Sequence, residues 1–241
     1  MITFQHSGAL GDIIWALPVI KHFGGGELNL IPNNISTVLR KYGNGPVNGY
    51  ENRLSLKDFE MISPLIAAQD YIKSVSFSAE ITADYDLDRF RGTVGQAFTK
   101  NFINTYAETF GIVLDDGAWL TVPNPKRIAP IVVTRTARYH SPQATTIPIW
   151  IRLLKDNDIE QNGVFVGLPE EHHAFEKLFN VALRYHPIKN FLELAEVISG
   201  ADAYMGNQTF AYSVARGLDK RTILEYRSVD CYIEKEKCKY F

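Results

Sequence analysis

Short apolar runs and helical apolar faces take turns along this chain. Ile2-Thr3-Phe4-Gln5 has the β-branched and aromatic look of a short buried strand. After it, Ile13, Ile14, Leu17 and Ile20 fall at helical spacing, so Asp12 to Phe23 reads as a helix with one apolar face. Gly24-Gly25-Gly26 stops that helix, and Glu27 to Pro32 reads as a second strand. Ser36 to Tyr42 reads as a short helix and Gly43 to Asn52, rich in glycine and proline, as a loop. Leu56, Phe59, Ile62 and Ile66 predict a helix over Ser55 to Gln69, with Ser55 as N-cap and Asp58 three residues on. Pro64 lies inside that pattern and should kink or split it. Tyr71 to Phe77 alternates like an edge strand, and Asp84 to Arg91 is charge-dense with large apolar residues between. Asn101 to Phe110 is an amphipathic helix ended by Gly111, and Trp119 to Val122 is a short apolar run.

Pro123-Asn124-Pro125-Lys126-Arg127, followed by Pro130, is the best linker in the chain. Beyond it the alternation is regular. Strands are predicted at Ile131 to Thr134, Gly163 to Leu168, Val181 to Tyr185, Ala201 to Met205 and Arg221 to Tyr226. Helices are predicted between them at Ile149 to Lys155, Glu170 to Phe179 behind Pro169, Asn190 to Ser199 with Asn190 as cap, and Gln208 to Gly217. Strands alternating with helices predict a parallel, doubly wound sheet. The expected architecture is α/β. Two Rossmann-like doubly wound domains, residues 1–125 and 126–241 with a C-terminal tail, face a central cleft.

The whole chain has 241 residues, 46% hydrophobic and 22% charged, enough apolar sequence for a packed core. The formal net charge is −2 and the pI about 6.3, which disfavours a protein that coats nucleic-acid backbone. The two cysteines, Cys231 and Cys238, read as thiols in a reducing compartment, with a hairpin disulfide as the second option. No apolar run is long enough to span a bilayer, and the N-terminus lacks the pattern of a signal peptide, so a cytoplasmic protein is expected.

Ligands of open α/β sheets gather at the carboxyl ends of the strands. Four loops lie there. The first is Ser7-Gly8-Ala9-Leu10-Gly11-Asp12, whose two glycines allow a tight turn and close approach. Asp12 in the first helical turn is either a residue that complements the macrodipole or a carboxylate available as general base. The second loop carries Arg135 and Arg138, guanidinium groups suited to a diphosphate. The third, Gly167 to His173, is a polar helix start rather than a metal site. The fourth, Gly206-Asn207-Gln208-Thr209-Phe210, opens the last long helix, where backbone N–H groups form an anion site and Asn207 or Thr209 can cap. Glu225, ending the last strand, reads equally as an acceptor for a ribose diol or as a surface acid. No P-loop, no G-x-S-x-G elbow and no complete G-x-G-x-x-G is present.

Gly8-Ala9-Leu10-Gly11-Asp12-Ile13-Ile14 with Leu17-Pro18 resembles the N-terminal motif of the ADP-heptose:lipopolysaccharide heptosyltransferase family. Ile198 to Ala211, with Ala215, Gly217, Leu218, Asp219 and Lys220, is similar to that family's donor-site segment, although Asn207-Gln208-Thr209 stands where an acid, Thr or Ser, and Gly are usual. The resemblance implies a GT-B fold and an inverting glycosyltransferase that uses a nucleoside-diphosphate sugar without a metal. Asp12 would be the general base. Arg135, Arg138, Gly206, Asn207, Gln208, Thr209, Phe210 and Glu225 would bind the donor. Ser7, Gly8, Gly11, Asp86 and Arg89 would lie on the side of a glycan or other hydroxyl acceptor, with Asp88 and Arg91 as further sugar or phosphate contacts. Two other classes stay open: a nucleotide-sugar or glycan-binding module of the same fold, and a sugar-nucleotide epimerase or hydrolase.

Overall fold

The computed structural model describes residues 1–32, 41–42, 45–46, 54–79, 82–94, 101–115, 117–137, 143–225 and 238–241. The opening unit is β1 (Thr3–His6), a turn, and α1 (Leu10–His22). β2 (Gly26–Leu30) follows, then two short antiparallel strands, β3 (Lys41–Tyr42) and β4 (Gly45–Pro46). Lys41 and Tyr42 are therefore strand rather than helix; the rest of the helix expected from Ser36 lies outside the described residues. α2 (Leu56–Ala67) leads to β5 (Ile72–Phe77), and β6 (Tyr85–Asp86) passes through a 3-10 turn, Leu87–Arg89, into α3 (Phe90–Val94). α4 (Phe102–Phe110) closes this half. The first sheet is parallel, in the order β5-β2-β1-β6.

Local signals act as their chemistry predicts at several helix ends. Ser55 Oγ accepts from the Asp58 N–H at 3.1 Å, and Asp58 Oδ2 accepts from the Ser55 N–H at 3.0 Å. Asn101 caps α4, and Gly111 ends it in the left-handed region at φ 64°. Pro64 does not split α2. It lies one turn from the helix end, where the donor it lacks removes a single bond.

The second sheet comprises β7 (Ile131–Val133), β8 (Gly163–Phe165), β9 (Ala203–Asn207), β10 (Arg221–Glu225) and β11 (Cys238–Tyr240). All its pairings are parallel, in the order β11-β10-β9-β7-β8. Between the strands run α5 (Gln143–Asp156), α6 (Ile159–Asn162), α7 (Pro169–Phe179), α8 (Phe191–Gly200) and α9 (Phe210–Gly217). One strand is corrected. Val181 to Tyr185 makes only an isolated bridge, Tyr185 to Phe165, and Pro187 soon removes the next donor but one. The fifth strand comes instead from the C-terminal tail, whose Phe241 ring meets Trp150 edge-on at 5.5 Å. Cys238 in that strand is a buried thiol; Cys231 lies outside the described residues.

The helix α1 was expected to bury one face, but everything from Ile13 to Ile20 is buried. α9 and α4 pack against it, and its apolar side chains share one core with Phe4, Leu28 and Leu30 of the first sheet. The hydrophobic core runs from the first sheet through α1 into α8 and α9. Trp15 is its hinge pin, with ring centroids 5.5 Å from Phe102, 5.3 Å from Trp119 and 6.2 Å from Tyr212. The segment leading to the linker is tied to both halves. The Trp119 indole N–H donates to the Ile14 carbonyl at 3.0 Å, and the Trp119 and Leu120 N–H groups donate to the Gly217 carbonyl at 2.9 Å. At the linker, Arg127 grips Asp202 with two bonds of 2.7 Å, and Lys126 pairs with Glu193 and Glu196.

Candidate functional site

The carboxyl end of β1 and the carboxyl end of β9 meet where their helices begin. Gly11 is the point of closest approach: a Cβ there would fall 3.1 Å from Ser213 Oγ and 3.9 Å from the Phe210 Cα. The opening turn and the start of α9 are 199 residues apart in the chain at this contact, counting from Gly11 to Phe210, and they share one place in the fold.

A buried polar network holds the opening turn. Asp88 is fully buried, and its Oδ2 accepts from the Ser7 N–H at 2.9 Å and the Ser7 hydroxyl at 2.6 Å. His6 Nδ1 accepts from the Gly8 N–H at 3.0 Å, which makes Nε2 the protonated nitrogen facing Tyr106 Oη at 3.3 Å. The Tyr106 hydroxyl donates to the Asp12 carbonyl at 3.2 Å. Gly8, at φ 115°, occupies backbone space that suits glycine alone. Arg91, from α3, donates through Nη2 to the Gly8 carbonyl at 2.6 Å and to Asp12 Oδ2 at 2.7 Å, with Nε 3.5 Å from Asp88 Oδ1. The Asp12 side chain keeps 18% of its surface exposed.

Across the contact, Gly206 is packed so that a Cβ would strike the Tyr204 hydroxyl and the Thr134 carbonyl. Burial pushes the Tyr204 phenol above its ordinary value, and its hydroxyl lies 2.6 Å from Thr134 Oγ1. Asn207 is fully buried and ties the ends of β9 and β7 together: Nδ2 donates to the Thr136 carbonyl at 2.8 Å, and Oδ1 accepts from the Thr136 N–H at 3.2 Å. The N-cap of α9 is Thr209, not Asn207. Thr209 stands at the N-cap of α9 without a side-chain cap bond, and Ala9 does the same for α1. The helices α2, α4 and α8 are closed by Ser55, Asn101 and Asn190. At the two helix starts that converge here, the N-cap side chain takes none of the first-turn N–H groups. Among the described residues, no cluster of three or more His, Cys, Asp or Glu is arranged to hold a metal, and no helix is long and apolar enough to cross a membrane.

No protein-family model matches the sequence, and no curated protein sequence is significantly similar. Solved structures do match. A family 9 glycosyl transferase from Veillonella parvula aligns over 100% of this chain and 85% of its own, with TM-score 0.60 at 8% identity. E. coli heptosyltransferase WaaC, solved with ADP-2-deoxy-2-fluoro heptose, aligns over 100% of this chain and 92% of its own, with TM-score 0.55 at 13% identity. E. coli ADP-heptose lipopolysaccharide heptosyltransferase II gives TM-score 0.52 at 9% identity, over 100% and 90%. The fold is that of the heptosyltransferases. It is the GT-B-like pairing of two parallel sheets with flanking helices: the alternation of strands and helices predicted the parallel sheets, and the sequence resemblance implied GT-B.

Within this heptosyltransferase fold the other sequence-derived residues fall as follows. Arg135 and Glu225, expected at a diphosphate and a ribose, are joined to each other. Nε and Nη2 of Arg135 reach the Glu225 oxygens at 2.7 and 3.2 Å, and the Trp150 indole N–H donates to the same carboxylate at 2.8 Å. Both residues are buried. The guanidinium edge reserved for a ligand is therefore engaged inside the protein. Arg138 lies outside the described residues. Gln208 is buried, and Phe210 packs on Phe191 with ring centroids 4.3 Å apart. Asp86 caps the 3-10 turn by accepting from the Asp88 N–H at 3.1 Å, and Arg89 is exposed, 5.7 Å from the Phe110 ring. Asp88 and Arg91, read as acceptor contacts, instead build the opening turn. His6 and Tyr106 were missed. Their only signal is an unusual one, a histidine ending a buried strand and a tyrosine on the apolar face of α4.

Proposed function

We propose that the protein is a glycosyltransferase that moves a sugar from a nucleoside diphosphate to an acceptor hydroxyl with inversion. One observation carries the reading: the turn bearing Asp12 and the loop Gly206–Phe210 converge, in a fold aligned over its whole length with heptosyltransferases. WaaC was solved with an ADP-sugar analogue, and an adenosine diphosphate sugar is the first donor class to test. The division of labour follows residues 1–125 for the acceptor and 126–241 for the donor. The donor diphosphate lies against the start of α9, near Gln208, Thr209 and Phe210, where first-turn N–H groups offset the charge of the leaving group. Arg138, three residues on from Arg135 in sequence, is assigned to the diphosphate by the sequence resemblance, and the Arg135–Glu225 pair forms the adjoining wall. Ser7, Gly8 and Gly11 shape the acceptor side, with Asp86 and Arg89 at its rim. Asp12 takes the hydroxyl proton. The acceptor oxygen attacks the anomeric carbon as the bond to the diphosphate oxygen breaks, and that oxygen keeps the electron pair. No step calls for a metal. The reaction takes place in the cytoplasm, where sugar nucleotides are made.

The first test is a thermal-shift screen against sugar nucleotides and free nucleoside diphosphates, since a ligand at ~100 times its Kd adds about 2.7 kcal/mol of apparent stability. A selective shift names the base and sugar. Transfer to an acceptor is then compared in wild type and Asp12→Asn, with a loss of about 10²–10⁴-fold expected. Full activity in Asp12→Asn would remove Asp12 as the base. Nucleoside diphosphate released without acceptor would make the protein a hydrolase, and an epimerised donor would make it an epimerase.

A further inference from the structure

The mechanism above uses Asp12 as a lone carboxylate, but the structure does not leave it alone. Its Oδ2 is held by Arg91 Nη2 at 2.7 Å, and the same nitrogen holds the Gly8 carbonyl at 2.6 Å. Among the described residues, none donates a hydrogen bond to Oδ1. The Arg91 guanidinium is itself held by two further contacts and by burial. Its Nε faces Asp88 Oδ1 at 3.5 Å, its Cζ sits 4.5 Å from the Phe90 ring, and its side chain is only 14% exposed. Asp88 is fixed in turn by Ser7, and the Asp12 backbone by Tyr106. We infer that Arg91 is the positioning residue of the base: it locks Oδ2 of Asp12 and thereby leaves Oδ1 as the oxygen that receives the acceptor proton.

This inference rests on the transferase reading. A carboxylate on the first turn of a helix has rotational freedom about χ1 and χ2. A charge-assisted bond to a packed guanidinium removes that freedom before substrate arrives. Lysine cannot do the same, because its ammonium is a single point charge, whereas the guanidinium holds Gly8 and Asp12 through Nη2 while its Nε faces Asp88. Arg91 here touches no reacting atom. It acts through Asp12, and its loss should appear in kcat while donor affinity stays unchanged, since the donor is assigned to the other half.

Two double-mutant cycles test this. The first needs no substrate: urea midpoints are measured for wild type, Asp12→Asn, Arg91→Met and the double variant. A direct pair predicts clear non-additivity, with the double variant little worse than Arg91→Met alone. Additive effects would overturn the pairing. The second uses the kinetic constants. Arg91→Met is expected to lower kcat about 10²-fold with donor KM within twofold of wild type, Arg91→Lys to recover part of the loss, and Arg91→Met to cost nothing further in the Asp12→Asn background. Unchanged kcat in Arg91→Met, or a further loss in the Asp12→Asn background, would overturn the inference. Wild-type protein that transfers no sugar would remove the transferase reading and the base with it. The stability cycle separates that failure from a failure of the pair.

Discussion

Asp88→Ala is expected to undo the opening turn, and the size of the effect follows from what Asp88 touches. The carboxylate has no exposed surface. One oxygen accepts both the N–H and the hydroxyl of Ser7, at 2.9 and 2.6 Å; the other faces Arg91 Nε at 3.5 Å and His6 Nδ1 at 3.4 Å. A hydrogen bond to a charged group contributes about 1.5–3 kcal/mol, and stripping one partner from a buried ion pair costs about 3–5 kcal/mol. One carboxylate supplies both effects, so they overlap, and about 3–5 kcal/mol is the expected total. Asp88→Asn keeps an oxygen for Ser7 but turns a neutral amide towards Arg91, and about 1–3 kcal/mol is expected. Asp86→Ala loses one cap bond at a half-buried site, about 1 kcal/mol. Urea unfolding followed by circular dichroism reads these as midpoint shifts. At a slope of ~2.5 kcal/mol/M, Asp88→Ala should lower the midpoint by about 1–2 M. If Asp88→Ala stays within ~1 kcal/mol of wild type, or if Asp86→Ala costs as much, the network is not what holds the turn.

Arg135→Ala leaves the Glu225 carboxylate buried without its guanidinium partner, and about 3–5 kcal/mol of stability should be lost. Calorimetry would then show an apo melting temperature lower by about 10 °C, and a fall of less than ~2 °C would refute the buried pairing. Gly217→Ala pushes a methyl to 2.7 Å from Leu120 Cδ1 and 3.1 Å from Trp119 Nε1. Overpacking of about 1–3 kcal/mol should outweigh the helix-propensity gain of up to ~1 kcal/mol, and a more stable variant in urea unfolding would show that the seam between the halves yields. The linker clamp should be acid-sensitive. The Arg127 guanidinium holds the Asp202 carboxyl below its usual 3.8, so this acid stabilises the fold above that pH, and the contribution fades as pH falls through the lowered value. Melting temperatures of wild type and Asp202→Asn should differ at pH 7 and converge in acid below 3.8, whereas a gap independent of pH would argue against the pair.

Much of the architecture could be read from neighbours within one helical turn. The capping exchange of Ser55 and Asp58, the stop at Gly111 and the cap at Asn190 involve residues no more than four apart, so their chemistry is written in adjacent letters. The parallel second sheet followed from the alternation of apolar runs and helices. Where the reading failed, the competing interaction lay far away in the chain. Val181 to Tyr185 has strand composition, yet β10 found its outer neighbour in the tail. The apolar face of α1 was visible, but the covering of its other sides by α4 and α9 was not.

The site divides in the same way. Asp12 at a helix start and Gly206 at a strand end are local features, legible because a turn and a first helical turn need particular residues. Which groups surround them is a matter of charge pairing across 79 to 90 residues of chain. Arg135 read as a diphosphate ligand because it stands in a loop at a strand's carboxyl end, and Arg91 as a sugar or phosphate contact in a charge-dense stretch. Folding puts Glu225 beside the first and Asp12 beside the second. A buried ion needs a partner of opposite charge, and composition shows that such partners exist without showing which one is near. Helices, caps and strand ends follow from local chemistry, while the engagement of each charge at those ends depends on the closing of the two sheets around α1.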